Sequence, residues 1–329
     1  MKRLNVFYAG TLTALMLAAC ARDNNVTAPD LVGKPPVGVT PSLARIIFVK
    51  GVEGRSHLYT MKQDGSNLQQ LTNGPFDDDS PAVSPDGSRI AFQRDGDIYV
   101  MNADGTGIRR ITFEGGIHPT LSPDGTKIAL GGAVGKGILV ISADGGGSVT
   151  RLTHLGVEDS DYSPAWSPDG QQIAFTRTEW NYSGVGNPFT RVWIANADGT
   201  GETPMRTMRR FGRDGFGAGW SPVFSPDNNK IAFSGPWPLG APSMKSTVLV
   251  MNRDGSGEVS LTSAPDKHLV SSVDDWSLDG KWVAFTMSRS VSNTSTQRDV
   301  FLVATSDGKV VRITADGQSW SAAFLRTGN

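Results

Sequence analysis

Short apolar runs separated by turn residues recur along most of the chain. Residues 90–92 (Ile-Ala-Phe) and the alternating run 97–102 are two examples, and a period of two is typical of a half-buried β-strand. Each Ile-Ala-Phe or similar run closely follows Ser-Pro-Asp-Gly or a variant of it. Pro presets the backbone of a turn, and Asp and Gly complete it, so this pattern predicts hairpins. The copies lie at residues 84–87, 122–125, 167–170, 225–228 and 277–280.

Two further landmarks recur in the same order. An Asp-Gly pair predicts a second tight turn after each alternating run, and an aliphatic residue followed by Thr closes every unit except the fourth. Between the first and last Asp-Gly pairs the spacing averages roughly 49 residues, close to the repeat length of a four-stranded propeller blade. The Asp-Gly pairs begin at Asp64, Asp104, Asp144, Asp198, Asp254 and Asp307. The aliphatic-Thr pairs are residues 71–72, 111–112, 152–153, 261–262 and 313–314.

These repeats predict an all-β fold, a six-bladed β-propeller of four-stranded antiparallel blades. An isolated blade cannot bury both of its faces, so the six blades must pack around a common axis. The first unit has no Ser-Pro-Asp-Gly turn before its strand at 45–48, whereas residues 320–324 near the C-terminal end match residues 220–224. We therefore expect the C-terminal strand to complete the first blade and to close the ring, which leaves no open sheet edge.

The repeat also resembles that of a known family. Ser-Pro-Asp-Gly before Ile-Ala-Phe, followed by an Asn-Ala-Asp-Gly turn and Leu-Thr, is similar to the TolB-type six-bladed propeller repeat, a relative of the WD repeats. The resemblance covers residues 44–326. It implies the fold strongly, but a fold by itself does not specify a function.

The N-terminal residues form a different kind of segment. Lys2 and Arg3 precede a mostly apolar stretch, which ends in small residues and Cys20. This pattern resembles the bacterial lipoprotein signal, which implies that residues 1–19 are a signal peptide and that Cys20 carries acyl groups. A cleaved signal without lipid and an uncleaved anchor are the alternatives.

Residues 20–43 are expected to form the lipidated end and a flexible tether, because they contain several Pro, Asp and Asn residues and show neither a helical nor a strand period. The residue after Cys20 is Ala21, where an Asp would retain a lipoprotein at the inner membrane. The resemblance therefore implies an outer-membrane anchor that faces the periplasm, and a membrane contact through the lipid only.

Composition excludes several classes of protein. The 329 residues contain 31 Lys and Arg against 32 Asp and Glu, and this net charge of -1 argues against a nucleic-acid surface built on bulk positive charge. The single Cys excludes an internal disulfide framework and a cysteine-rich metal site. What remains is a neutral, turn-rich β-protein.

Loop lengths divide the predicted ring into two faces. The Ser-Pro-Asp-Gly and Asp-Gly turns are nearly constant in length and share one face, the constant face, because successive antiparallel strands alternate in direction. The other connections form the variable face and are longest in blades 4 to 6. Loops on a rigid scaffold commonly carry recognition, so we predict a partner-binding surface from their aromatic residues; caps on their own blades are the alternative. These residues are Trp180, Tyr182, Phe189, Phe211 and Trp237.

Charged candidates lie near the same channel mouth. Four carboxyl residues fall at the innermost strands: Asp79, Asp161, Asp274 and Asp275. The alignment of these strands predicts that His118 faces the channel. Oxygen ligands from several blades would suit calcium, but no acidic cluster has the length or the glycine of a calcium loop. We therefore favour solvated acids and a water-bound histidine, and we expect neither a bound metal nor another cofactor.

The sequence contains no complete set of residues that matches a known catalytic motif. No Gly-x-Ser-x-Gly nucleophile elbow is present, and the glycine-rich run 131–137 lacks the spacing and the hydroxyl residue of a phosphate loop. The chain is therefore predicted to be a non-enzymatic envelope scaffold that binds a protein or peptide. A polysaccharide lyase or hydrolase with its site at the channel mouth, and a purely structural envelope protein, are the alternatives.

Overall fold

The computed structural model describes residues 45–132, 136–155, 159–179, 189–205, 220–236, 246–262, 269–292 and 295–326. Within these ranges the chain forms 24 strands in six four-stranded sheets. All pairs of neighbouring strands within a sheet are antiparallel, so the predicted six-bladed propeller is confirmed. No helix in this part of the chain is long and apolar enough to span a bilayer.

Each sheet is one blade, and its four strands lie side by side from the central axis to the outer edge of the ring. Blade 1 contains β1 (Arg45–Val52), β2 (Arg55–Lys62), β3 (Gln69–Gln70) and, on its inner side, the last strand β24 (Ser319–Leu325). Blade 2 contains β4 (Asp78–Val83), β5 (Arg89–Arg94), β6 (Asp97–Asn102) and β7 (Arg109–Arg110). Blade 3 contains β8 (Ile117–Leu121), β9 (Lys127–Gly131), β10 (Ile138–Ser142) and β11 (Thr150–Arg151).

The second half of the ring repeats this order. Blade 4 contains β12 (Ser160–Trp166), β13 (Gln172–Glu179), β14 (Phe189–Asn196) and β15 (Thr203–Pro204). Blade 5 contains β16 (Trp220–Phe224), β17 (Lys230–Pro236), β18 (Ser246–Asn252) and β19 (Val259–Ser260). Blade 6 contains β20 (Leu269–Trp276), β21 (Trp282–Ser292), β22 (Ser295–Ala304) and β23 (Val310–Arg312).

The hydrophobic core lies between the blades. Six apolar clusters each combine residues from two neighbouring blades; one of them joins Ile98 of blade 2 to Leu130 of blade 3. The second strand of each blade is buried on both of its faces, which explains its continuous Ile-Ala-Phe character. The ring is thus stabilised by six seams, and every seam depends on the blade on either side. The phenylalanines of these runs are among the largest fully buried side chains: Phe48, Phe92, Phe175, Phe233 and Phe285.

The Ser-Pro-Asp-Gly turns are closed by their own side chains. In blade 2 the Ser84 hydroxyl donates to Asp86 at 2.6 Å and accepts the N–H of Arg89 at 2.9 Å. Hydrogen bonds from Ser84 and Ser88 to the carboxylate lower the pKa of Asp86 to about 2. The same pairs of bonds recur in the other four copies, so the constant face is built by a local, repeated hydrogen-bond pattern.

The aliphatic-Thr pair has an equally local role. In each of the five units that carry it, the Thr hydroxyl accepts a backbone N–H from the blade's third strand, at 2.8 to 3.0 Å. The pair therefore fastens the end of the outermost strand to the strand before it. The acceptors and donors are Thr72 and Leu58, Thr112 and Ile98, Thr153 and Ile138, Thr262 and Val248, and Thr314 and Val300.

The ring closes as the sequence predicts. The last strand, β24, pairs with β1 in antiparallel register from Arg45 opposite Leu325 to Lys50 opposite Ser319. Phe324 and Ala322 of β24 also pack into the core cluster between blades 6 and 1. The C-terminal strand is thus the innermost strand of blade 1, and its side chains also pack against blade 6.

A glycine next to the closing segment offers a test of this contact. A Cβ added to Gly87 would lie 1.7 Å from the backbone oxygen of Arg326, whereas one at Gly125, in the same turn of blade 3, would meet nothing within 4 Å. Both glycines have φ near +70°. We expect Gly125→Ala to lower the free energy of unfolding by about 1 to 2 kcal/mol, through backbone strain alone. Gly87→Ala should lower the free energy of unfolding by about 1 to 3 kcal/mol more than Gly125→Ala does, because the added methyl group would clash with the backbone of Arg326. Equal losses in denaturant unfolding would contradict the close contact.

Candidate functional site

A cavity of about 430 Å³ runs through the centre of the ring and is lined by the inner strands of all six blades. Its polar and apolar groups are unevenly distributed, because the strand sequences differ. Toward the variable face the lining includes Ser80, His118, Ser163, Ser221 and Ser321. Toward the constant face it includes Pro85, Pro123, Pro168, Pro226, Leu278 and Arg326. The cavity is within the size range of ligand pockets.

The inner strands carry a repeated β-bulge that shapes the channel mouth. In five of them one residue has φ near +50° and lies where the register with the neighbouring strand shifts. In four of these the next residue is Pro, which needs no partner for a backbone N–H. A positive φ is strained for residues other than Gly, and such strain is concentrated at functional sites. The five residues are Ser80, His118, Ser163, Ser221 and Ser321.

Blade 6 departs from this pattern. Its register shift lies between Val273 and Asp275, and the cavity lining includes the carboxyl residues Asp274 and Asp275 where other blades have Pro, Ala, Thr or Val. Asp274 accepts the Thr286 hydroxyl at 2.7 Å, and Asp275 accepts the backbone N–H of Phe324 at 2.9 Å. Enclosure by protein raises the pKa of Asp274 to about 8, and it also raises the pKa of Asp275.

His118 and Asp79 approach the same channel from blades 3 and 2. The inner strands surround His118, but solvent in the channel still reaches its ring, which lies 6.4 Å from that of Tyr162. The protein that surrounds the ring displaces bulk water and so lowers the pKa of His118, and the charge of Asp79 acts against this shift. Asp79 itself accepts the Trp320 indole N–H at 3.0 Å. The structure therefore places three of the predicted charged candidates, His118, Asp274 and Asp275, in the channel lining. Asp79 lies outside this lining, although its charge acts on His118 and Asp274.

Asp161, the remaining charged candidate, lies in a seam between blades. Its carboxylate accepts two hydrogen bonds from Arg177, at 2.7 and 2.8 Å, and one from Thr153 of blade 3 at 2.5 Å. Asp161 is 2% exposed and Arg177 is 6% exposed. Two of these hydrogen bonds lie within blade 4 and the third joins blade 4 to blade 3, and Asp161 is not part of the channel lining.

An equivalent pair in blade 2 lies outside the set of residues singled out from the sequence. Asp78 and Arg94 form two hydrogen bonds at 2.6 and 2.9 Å, and Phe76 and Tyr99 flank the guanidinium. The repeat sequence carries a signal for this ion pair. An Asp lies six residues before the Ser of the turn, and an Arg lies two residues after the Phe, in blades 2 and 4 only. Their strand register places the two side chains opposite each other.

The aromatic candidates fall largely outside the described residues. Trp180, Tyr182, Phe211 and Trp237 lie outside the described ranges, and Phe189 is described only as the first residue of β14. The variable face also carries aromatic residues beyond those singled out from the sequence. Phe113 is 73% exposed, and Arg110 stacks on its ring at 4.6 Å. Among the described residues, no group of three or more His, Cys, Asp or Glu side chains is arranged to hold a metal ion.

Comparison with known proteins identifies the family. The family model "TolB beta propeller domain" matches residues 16–214. A TolB homologue of Chlorobium luteolum is 32% identical over 169 residues, which cover 49% of this chain and 36% of that protein. The chain therefore spans well under half the length of this curated relative.

Solved structures show the same fold. TolB from Acinetobacter baumannii superimposes with a TM-score of 0.65 at 17% identity, over 86% of this chain and 66% of that one. A putative TolB from Agrobacterium tumefaciens gives a TM-score of 0.60 at 18% identity, over 87% of this chain and all of that one. The family model matches more than half of the sequence, and the described fold agrees with it: this chain belongs to the TolB β-propeller family.

Proposed function

We propose that this protein is a lipid-anchored scaffold of the cell envelope, and that its propeller binds an extended segment of a partner protein in the mouth of the central channel. The observation that carries this proposal is the cavity of about 430 Å³, with its hydroxyl groups and proline rings on a rigid closed scaffold. Serine hydroxyls would bond a peptide backbone, and proline rings would contact its side chains without losing rotamer freedom.

The chemistry of the described lining supports binding rather than turnover. Each carboxyl group of the described lining has a structural partner, since Asp274 accepts from Thr286 and Asp275 from Phe324. Asp79, beside the lining, accepts from Trp320. No hydroxyl in the described lining is paired with His118 as a nucleophile would be with its base. These contacts favour the non-enzymatic interpretation over the enzymatic one.

The envelope location rests on the N-terminal sequence. Lys2 and Arg3, the apolar stretch after them and Cys20 support secretion and acylation, and Ala21 supports the outer membrane, facing the periplasm. Labelling with a radioactive or alkyne-tagged fatty acid in a bacterial host tests this part separately. Label should be incorporated into the intact protein and not into Cys20→Ser.

A capture experiment tests the channel. Blade 3 already carries a histidine at the bulge, so Ser163→His and Ser221→His together should narrow the channel without a new backbone strain. Asn67→His on the constant face is a matched control, because Asn67 also has a positive φ and is exposed. From detergent-solubilised envelopes, the wild type and the control should recover one defined partner that the double variant loses. Identical recoveries from all three proteins would contradict channel docking.

One observation keeps an enzymatic alternative testable. His118 is solvent-accessible in a cavity that also contains Asp274 and Asp275, and such a set would suit a polysaccharide lyase or hydrolase. That alternative expects metal-dependent turnover of oligosaccharides, lost in His118→Ala and in Asp275→Asn. Absence of turnover with several divalent ions would leave the scaffold function as the better account.

A further inference from the structure

The sequence contains a single Asn-Gly pair, Asn73-Gly74. It lies on the variable face, in the loop that joins β3 of blade 1 to β4 of blade 2, and both residues are exposed. Gly74 has a φ of +104°, a backbone conformation that glycine adopts readily. Because glycine has no Cβ, its backbone nitrogen can approach the side-chain carbonyl carbon of the preceding Asn without steric hindrance.

The loop around this pair is fastened only at its two ends. Thr72 accepts the backbone N–H of Leu58 at 2.9 Å, and the N–H of Asp77 donates to the Asp95 carboxylate at 2.9 Å. Between these two points, residues 73–76 make no hydrogen bond within the described part of the chain. Neither the side-chain amide nor the backbone nitrogen of the Asn-Gly pair is thus held away from the other, and the segment can sample several conformations.

The other asparagines that the structure describes lack this combination. Five of them donate a hydrogen bond from the side-chain amide, at 2.6 to 3.1 Å, which fixes the amide in place. The sixth, Asn67, is exposed and makes no hydrogen bond to a described residue, but Leu68 follows it in place of Gly. The five bonded pairs are Asn102 and Thr106, Asn196 and Thr200, Asn228 and Asp169, Asn229 and Asp227, and Asn252 and Ser256.

We propose that Asn73 is a site of spontaneous deamidation. The Gly74 nitrogen gives up its proton to water and attacks Cγ of Asn73, so that a new C–N bond forms and the Nδ2 group takes up a proton and leaves as ammonia. One water molecule then opens the succinimide ring at either of its two carbonyl carbons. The products are aspartate and isoaspartate, in which the backbone continues through Cβ and Cγ. The net reaction consumes one water molecule and releases one ammonia molecule, without an oxidant or a reductant.

Either product changes the loop in a defined way. Each adds a carboxylate four residues before Asp77, which already binds the Arg55 guanidinium at 2.9 Å. Isoaspartate also adds a methylene group to the backbone close to Phe76, on whose ring Arg94 stacks at 4.8 Å. The variable face therefore gains negative charge as the protein ages. The effect of this charge on a bound partner rests on the proposed function, whereas the modification itself does not.

Peptide mapping by mass spectrometry tests the site without any partner. After incubation of the full chain at neutral pH and 37 °C, the peptide that contains Asn73 should gain the mass of an amide-to-acid conversion. Part of the product should be a substrate for protein isoaspartate methyltransferase. Asn67 is the matched control in the same chain, and Asn73 should convert at least about tenfold faster, which corresponds to an activation barrier lower by about 1.4 kcal/mol.

Two further measurements separate the fold from the sequence. Asn73→Gln should abolish conversion at this site, because attack on the longer side chain would require a six-membered ring. A synthetic peptide of residues 69–80 gives the rate in the absence of the fold. Equal rates at Asn73 and Asn67 would overturn the proposal. So would an intact Asn73 in the folded chain over a period in which the synthetic peptide converts, because the loop would then protect it.

Discussion

Deletion of residues 318–329 is expected to abolish the cooperative unfolding transition. The deletion removes β24, which pairs with β1 over its length and contributes Ala322 and Phe324 to the core between blades 6 and 1. It would expose the inner edge of β1 and break the seam on each side of it. Because every blade depends on two neighbours, the loss should spread through the ring. Circular dichroism against temperature should show a broad, non-cooperative loss of signal.

A shorter deletion provides the control. Removal of residues 327–329 leaves the whole of β24 and Arg326 in place, so its melting curve should match that of the intact chain. If the longer deletion melts as sharply and at the same temperature as the short one, closure by the C-terminal strand contributes little to stability.

Substitution of Arg177 by Met is expected to lower the free energy of unfolding by about 3 to 5 kcal/mol. Arg177 donates two hydrogen bonds to Asp161 and a third to Glu202 at 2.7 Å. Met preserves much of the packing volume but leaves Asp161, which is 2% exposed, without a counter-ion. Denaturant unfolding at neutral pH measures the loss.

The same blade provides a matched control for burial. Arg191 pairs with Glu179 on neighbouring strands, but both side chains are 25% exposed. Arg191→Met should therefore cost less than about 1 kcal/mol. A double variant, Arg177→Met with Asp161→Leu, should recover much of the loss of the single variant, because no uncompensated charge remains. Equal losses for Arg177→Met and Arg191→Met would refute the argument from burial.

The channel lining and the ion pair at Asp161 show which positions of side chains follow from the sequence and which do not. The alignment of inner strands predicted that His118 faces the channel, because its position recurs at the same distance from the Ser-Pro-Asp-Gly turns of blades 2 to 5. The Asp274–Asp275 pair was expected near the channel only because it falls in an inner strand, and that argument did not distinguish it from Asp161. That distinction depends on Arg177, which lies 16 residues away and meets Asp161 only through the strand register.

Repetition determined most of the architecture from the sequence alone. The hydrogen bonds of the Ser-Pro-Asp-Gly turn and of the aliphatic-Thr pair form within one blade, so each copy of the repeat specifies the turns of its own blade. The number of copies therefore sets the number of blades. The match of residues 320–324 to 220–224 was likewise enough to predict how the ring closes.

Only the tertiary structure decided what the non-repeated side chains do. Asp161 pairs with Arg177 of its own blade, and Asp79 accepts an indole N–H from blade 1. Asp274 accepts a hydroxyl of its own blade, and Asp275 accepts a backbone N–H of the closing strand, although all four are aspartates of inner strands. Their roles depend on partners in other blades or on other strands. Charge and hydrogen bonding act through space, whereas a repeat specifies only what lies within its own length.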